Sequence, residues 1–187
     1  MSENAHSSVV RSLSLPRVGQ LGFIVNSIED SLPYYASFYN HGTWFKPKYA
    51  EKEFWVGSEQ VDIDIDLTFT YSGKTQIELI ETKGQDENLY NRYLAENDEG
   101  LHHLAFYVNN LDERSKAMSK LGIEILMEGR FRLAGGGLAR FAYFDTKQLC
   151  GTVLELIEIR LYGISVPQTS FMMNVAALTG DVLKTRI

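Results

Sequence analysis

Gln20-Leu21-Gly22-Phe23-Ile24-Val25-Asn26 returns later in the chain as His103-Leu104-Ala105-Phe106-Tyr107-Val108-Asn109. A second pair follows in the same order: Ile77-Glu78-Leu79-Ile80-Glu81 and Leu154-Glu155-Leu156-Ile157-Glu158. The first pair is offset by 83 positions and the second by 77, so the first copy holds a loop six residues longer. The repeat is too long for a solenoid unit of roughly 20–50 residues. It predicts two copies of a small α+β module, with Gln20, Glu78, His103 and Glu155 at matching places.

Around these anchors the elements follow from periodicity. Val18 to Val25 reads as a strand. A helix follows, with Ser27 as N-cap, and Pro33 moves its expected regular start toward Ser31, because proline suits a first turn. Tyr34, Tyr35, Phe38 and Tyr39 form its apolar stripe. Val61 to Thr70 alternates strictly, apolar residues on one face and Asp62, Asp64, Asp66, Thr68 and Thr70 on the other, which predicts one strand. Ser72-Gly73-Lys74 turns the chain into a partner strand, Thr75 to Glu81. Asp86 to Asn97 has helical spacing.

The second copy repeats the plan. A strand runs over Leu101 to Val108. A helix is capped by Asn110, with Glu113 at the reciprocal position, and is stopped by Gly122. Strands follow at Ile123–Glu128, Leu138–Asp145 and Thr152–Glu158. The expected organisation is therefore a mobile N-terminal tail over 1–15 and one domain over 16–158. That domain comprises modules 16–84 and 100–158 joined by a linker helix over 85–99. A C-terminal extension over 159–187 has no counterpart in module one. Phe171, Met172, Val175 and Leu178 are spaced for an amphipathic helix within it, to serve as a dimer contact or a lid.

The net charge of −6 argues against a nucleic-acid partner, which calls for a basic surface. No apolar run reaches the ~20 residues of a membrane span. Cys150 is the single cysteine, so an internal disulfide is excluded, and a reducing, cytoplasmic setting is expected.

If the modules stack about a pseudo-twofold axis, Gln20, Glu78, His103 and Glu155 face one another across a common cavity. One amide oxygen, two carboxylates and one imidazole suit Zn, Co, Ni or Mn, and the two carboxylates balance one divalent cation. Arg130, Arg132 and Arg140 flank the Gly135-Gly136-Gly137 loop, where Arg140, Gly136 and Gly137 are candidates to bind a carboxylate or phosphate of a small-molecule substrate.

The Gly19-to-Phe23 and Gly100-to-Phe106 segments and the two Glu-Leu-Ile-Glu motifs resemble the vicinal oxygen chelate superfamily, over about residues 17–158. Gly135-Gly136-Gly137 and Phe144-Asp145-Thr146-Lys147 are most similar to the methylmalonyl-CoA epimerases within it. The resemblance implies a glyoxalase-like fold, two βαβββ modules curling a mixed sheet around a metal cavity. It implies a likeness to proteins that use one divalent ion and form homodimers. It also implies Gln20, Glu78, His103 and Glu155 as metal ligands, with His102 turned to the opposite face. The implied activity is a metal-dependent isomerase or epimerase that removes a proton beside a carbonyl, with an acyl-CoA as one candidate substrate. Glu155 would be one base and Asp64, from the third strand of module one, the other. Gln20 departs from the epimerase pattern and matches that of glyoxalase I, so a lyase acting on a thiol adduct is the alternative. A metal-free protein that binds a hydrophobic ligand, like the bleomycin-resistance members, is a third.

Overall fold

The computed structural model describes residues 13–39, 42–84 and 86–187. Module one runs β1 (Gln20–Ile24), α1 (Ile28–Phe38), β2 (Thr43–Pro47), β3 (Tyr49–Val56), β4 (Glu59–Val61), β5 (Ile65–Ser72) and β6 (Thr75–Thr82). After α2 (Leu89–Asn97), module two runs β7 (Gly100–Tyr107), α3 (Leu111–Lys120), β8 (Ile125–Leu133), β9 (Gly137–Phe144), α4 (Lys147–Cys150) and β10 (Val153–Leu161). The extension adds β11 (Ile164–Ser165), α5 (Ser170–Thr179) and β12 (Val182–Arg186).

All strands join one mixed sheet in the order β12-β2-β5-β6-β1-β7-β10-β9-β8-β3-β4, with β11 on β10. The order itself shows that the sheet curls. Only Lys48 separates β2 from β3, yet eight strand steps lie between them in the sheet. At ~4.8 Å per step a flat sheet would hold them about 38 Å apart. One linking residue spans about 7 Å, so the two ends must come together. Backbone bonds from Lys48 to Asp181 and from Ala134 to Lys48 tie that seam. The two modules meet at the centre of the sheet through antiparallel β1 and β7. The main core lies inside the curl, around Phe54, Phe69, Phe141 and Tyr143. α1 and α3 cover smaller cores on the outer face.

The predicted fold class holds, and several local expectations change. Ser27 does cap α1, its Oγ accepting from the Asp30 amide, but the helix starts at Ile28 and includes Pro33. Pro33 is exposed, so the carbonyl it leaves without a donor can be met by water. Tyr35 and Tyr39 pack on Phe23, whereas Tyr34 and Phe38 face solvent. The alternating run breaks at residues 62–64: β4 ends at Val61 and pairs with β3, while β5 begins at Ile65 and pairs with β6. Asn110 stands at the N-cap of α3 without a capping hydrogen bond, because its side chain is taken up by Glu113 and Arg114. Of the expected mobile tail, residues 1–12 lie outside the described residues. Leu13, however, is buried with Leu15 against the α3 core, and its carbonyl accepts from Arg114.

The extension closes over the curled sheet. β12 pairs with β2, and Met173 and Ala176 pack against the main core. Of the stripe expected to serve as a dimer contact or a lid, Phe171 is 72% and Leu178 89% accessible in the single chain. The helix is apolar nearly all round, so spacing alone could not select its buried side.

Candidate metal centre

Four adjacent strands at the middle of the sheet, β6, β1, β7 and β10, each deliver one side chain to the inner face: Glu78, Gln20, His103 and Glu155. Parallel pairing sets Glu78 beside Gly22 and Glu155 beside Ala105. Antiparallel pairing sets Gly22 opposite His103 and Ala105 opposite Gln20. The pseudo-twofold relation read from the repeat is thus a physical one.

His103 Nε2 lies 3.1 Å from a Glu155 oxygen and 3.7 Å from a Glu78 oxygen. Gln20, Glu78 and Glu155 line a cavity of about 90 Å³, and the fully buried His103 stands behind them. Burial raises the Glu78 carboxyl well above its usual range, and the nearby Glu155 charge adds to the effect; the Gln20 amide opposes it. Burial likewise raises Glu155, against the opposing pull of the Tyr143 hydroxyl. His103 is pushed down to about 3 by burial, which keeps its imidazole neutral.

The donor atoms are short of partners. Gln20 Oε1, His103 Nε2 and Glu155 Oε2 are three of the five buried side-chain polar atoms that make no hydrogen bond among the described residues. Buried polar atoms are normally bonded; here His103 Nε2 and Glu155 Oε2 approach each other at 3.1 Å without a well-aligned hydrogen bond, and with Gln20 Oε1 they make this end of the molecule the candidate place for a cation. Among the described residues, no group of three or more His, Cys, Asp or Glu side chains is arranged as a metal site. Amide oxygen, imidazole and two carboxylates fit a borderline divalent ion in chemistry and in charge.

Neighbouring side chains orient each half of the set. Gln76 Oε1 accepts from Gln20 Nε2 and from the Tyr107 hydroxyl at 2.9 Å, while Gln76 Nε2 donates to Tyr71 at 3.1 Å. That leaves Gln20 Oε1 free to face the cavity. In module two a β-bulge in β7 inserts His102 between the residues that pair with Gly22 and Phe23. The bulge corrects the expectation that His102 faces away. Its Nδ1 lies 3.0 Å from His103 Nδ1, and its ring packs edge-on to Tyr143. A bulge has no signature in side-chain alternation. The role of Gln76 was more legible, since it lies two residues before Glu78 on the same strand face.

Residues 19–143 match the Glyoxalase/Bleomycin resistance protein/Dioxygenase superfamily. The chain belongs to this superfamily. A curated relative, the uncharacterized protein YqjC of Bacillus subtilis (strain 168), is 25% identical over 142 residues, covering 76% of this chain and 91% of that protein. Among solved structures, a variant of Streptomyces coelicolor methylmalonyl-CoA epimerase in complex with 2-nitronate-propionyl-CoA superposes with a TM-score of 0.54 at 20% identity, covering 82% of this chain and 100% of that one. Methylmalonyl-CoA epimerase from Mycobacterium tuberculosis gives 0.51 at 16% identity, over 76% and 87% of the two chains. These likenesses establish the fold.

Other side chains expected at the site of this superfamily member lie elsewhere. Asp64 is 71% exposed between β4 and β5 and pairs with Lys52 at 3.0 Å. Arg140 faces outward, held by Asp112 and by buried Glu158 at 3.4 Å. Gly136 adopts φ +85° and packs toward Tyr162, and Gly137 packs on Leu133 outside the inner cavity, lining the neighbouring groove of about 440 Å³. Among the described residues no helix is long and apolar enough to cross a membrane.

Proposed function

We propose that this protein is a divalent-metal enzyme that removes a proton from the carbon beside a carbonyl, on a substrate that presents two neighbouring oxygens. The observation that supports it is the convergence of three buried donor atoms that make no hydrogen bond, Gln20 Oε1, His103 Nε2 and Glu155 Oε2, the last two 3.1 Å apart, beside Glu78. A zinc, cobalt, nickel or manganese ion held there would supply Lewis acidity to the carbonyl oxygen. Glu155 is the base: its carboxyl lines the cavity beside the reacting position. The Tyr143 hydroxyl steadies its charged form. Glu78 and Glu155 stand on the outer two of the four central strands, so they flank the reacting position. Glu78 therefore takes the second-base role that the sequence assigned to Asp64, which suits return of the proton to the opposite face of the carbon.

The fold likeness makes acyl-CoA thioesters the first substrates to test, with hemithioacetals for the lyase alternative and 2-hydroxy ketones as the simplest vicinal-oxygen compounds. The metal-loaded protein is expected to exchange the hydrogen beside the carbonyl for solvent deuterium in one of these classes, and the metal-free protein is not. Exchange confined to hemithioacetals would select the lyase. No exchange in any class would refute proton abstraction.

A further inference from the structure

We propose that the substrate carries, beyond its two oxygens, an uncharged apolar arm, and that the C-terminal extension selects it. This inference rests on the metal-centre reading above, and within it favours substrates other than acyl-CoA thioesters, whose carrier arm is phosphorylated. The inner cavity, about 90 Å³, holds only the reacting end of a molecule. Leu133, Ile159, Gln168 and Met173 form a wall shared with a larger groove of about 440 Å³ between β10 and α5. The two spaces therefore form one slot, with carboxylates at the closed end and the extension along its length. No Lys or Arg lines the inner cavity among the described residues. The groove has one, Arg160, which Glu158 engages at 3.0 Å while its Nε makes no hydrogen bond, and the Asp181 carboxylate lines the same groove. A phosphate or carboxylate entering here would lose water, meet the carboxylates of Asp181, Glu78 and Glu155 along the way, and gain at most that one shared guanidinium. An alkyl or aryl arm would lose water favourably. Met172 and Met173 suit such an arm, because an unbranched thioether adapts to varied shapes.

The slot is contained in a single chain and is continuous with the candidate site, which argues for a substrate arm as its occupant. The curled sheet alone would leave the inner cavity open on this side. Residues 166–182 narrow it to a neck at Gln168 and Met173.

Straight-chain hydroxamates test the inference, because each presents two adjacent oxygens and a chain of chosen length. Acetohydroxamate, hexanohydroxamate and octanohydroxamate are titrated into the full-length cobalt-loaded protein, followed by its visible spectrum and by calorimetry. Affinity is expected to rise roughly four-fold per buried methylene. Suberic monohydroxamate, of similar length with a terminal carboxylate, is expected to bind no better than acetohydroxamate. Met173→Trp should narrow the neck, cutting octanohydroxamate affinity at least ten-fold more than it cuts acetohydroxamate affinity; Met173→Leu should preserve both.

Spectral changes with all three chains but equal affinities would overturn the apolar arm and leave the metal centre standing. Suberic monohydroxamate binding as tightly as octanohydroxamate would do the same. If cobalt does not bind, or no hydroxamate alters its spectrum, the metal-centre reading fails instead. In that event 1-octanol binding to the metal-free protein decides the slot on its own: binding that Met173→Trp abolishes supports it, and no binding refutes it.

Discussion

Gly22 and Ala105 occupy the same place in the two modules, and the difference between them follows the ligand each one faces. Gly22 lies opposite His103, and Ala105 lies opposite Gln20. A Cβ on Gly22 would fall within 1.9–2.6 Å of the His103 imidazole ring. A methyl group is tolerated opposite the slimmer amide. The supports differ as well. Module one fixes Gln20 through Gln76 and two tyrosines, whereas module two fixes His103 through a bulge that brings up a second imidazole. Duplication set the four positions, and each half then found its own way to hold the ligand.

The sharpest way to break the comparison is to exchange the small residues. Gly22→Ala should displace His103, lowering metal affinity by roughly 100-fold, a figure of the order seen when ligand support is lost. The overpacking should also cost about 1–3 kcal/mol of stability. Ala105→Gly should cost only about 0.5–1 kcal/mol through backbone freedom. Metal titration and denaturant unfolding of both variants check this; equal effects would contradict the asymmetry.

Removing the supports comes next. Gln76→Leu and His102→Asn should each weaken metal binding by roughly 10-fold or more, leaving maximal loading unchanged at high metal. Gln76→Leu should be the more destabilising by unfolding, since it leaves Gln20 Nε2 and the Tyr107 hydroxyl with no acceptor.

A smaller effect follows from proton linkage. In the metal-free fold, Glu78 and Glu155 keep protons that the unfolded chain has already released, so their contribution to stability is lost as pH rises toward their raised values. His103 acts in the opposite sense, its contribution being lost as pH falls from about 6.5 toward about 3, so it is constant above pH 7. The metal-free protein should therefore lose stability as pH rises above the ordinary carboxylate range, and Glu155→Gln should flatten that slope. Thermal unfolding as pH rises is the check; a slope unchanged in the variant would count against the raised pair.

Asp64→Asn should do least, changing stability by less than about 0.5 kcal/mol and leaving metal content intact, because it removes one exposed ion pair.

The repeat made the fold and the four inward-facing polar positions legible, because strand partners in each copy had to share a face. What escaped detection depends on long-range pairing. The β3–β4 hairpin leaves its own module to join β8. Asp62 to Asp64 continue a perfect alternation that the change of partner interrupts. The family resemblance places Asp64 at the site, whereas the break between β4 and β5 leaves it exposed and paired with Lys52. Arg140 was selected for its charge, but its face was set by the pairing of β9 with β10, where it lies beside Glu158. The packed side of α5 was likewise hidden, since its sequence is apolar in every direction.

Elemental analysis of wild type beside Glu155→Ala, both reconstituted with zinc or cobalt and freed of excess, tests the metal centre most directly. One metal ion per chain in the wild type and none in the variant is the expected result. A wild type that retains no metal, or a variant that retains as much, would contradict it.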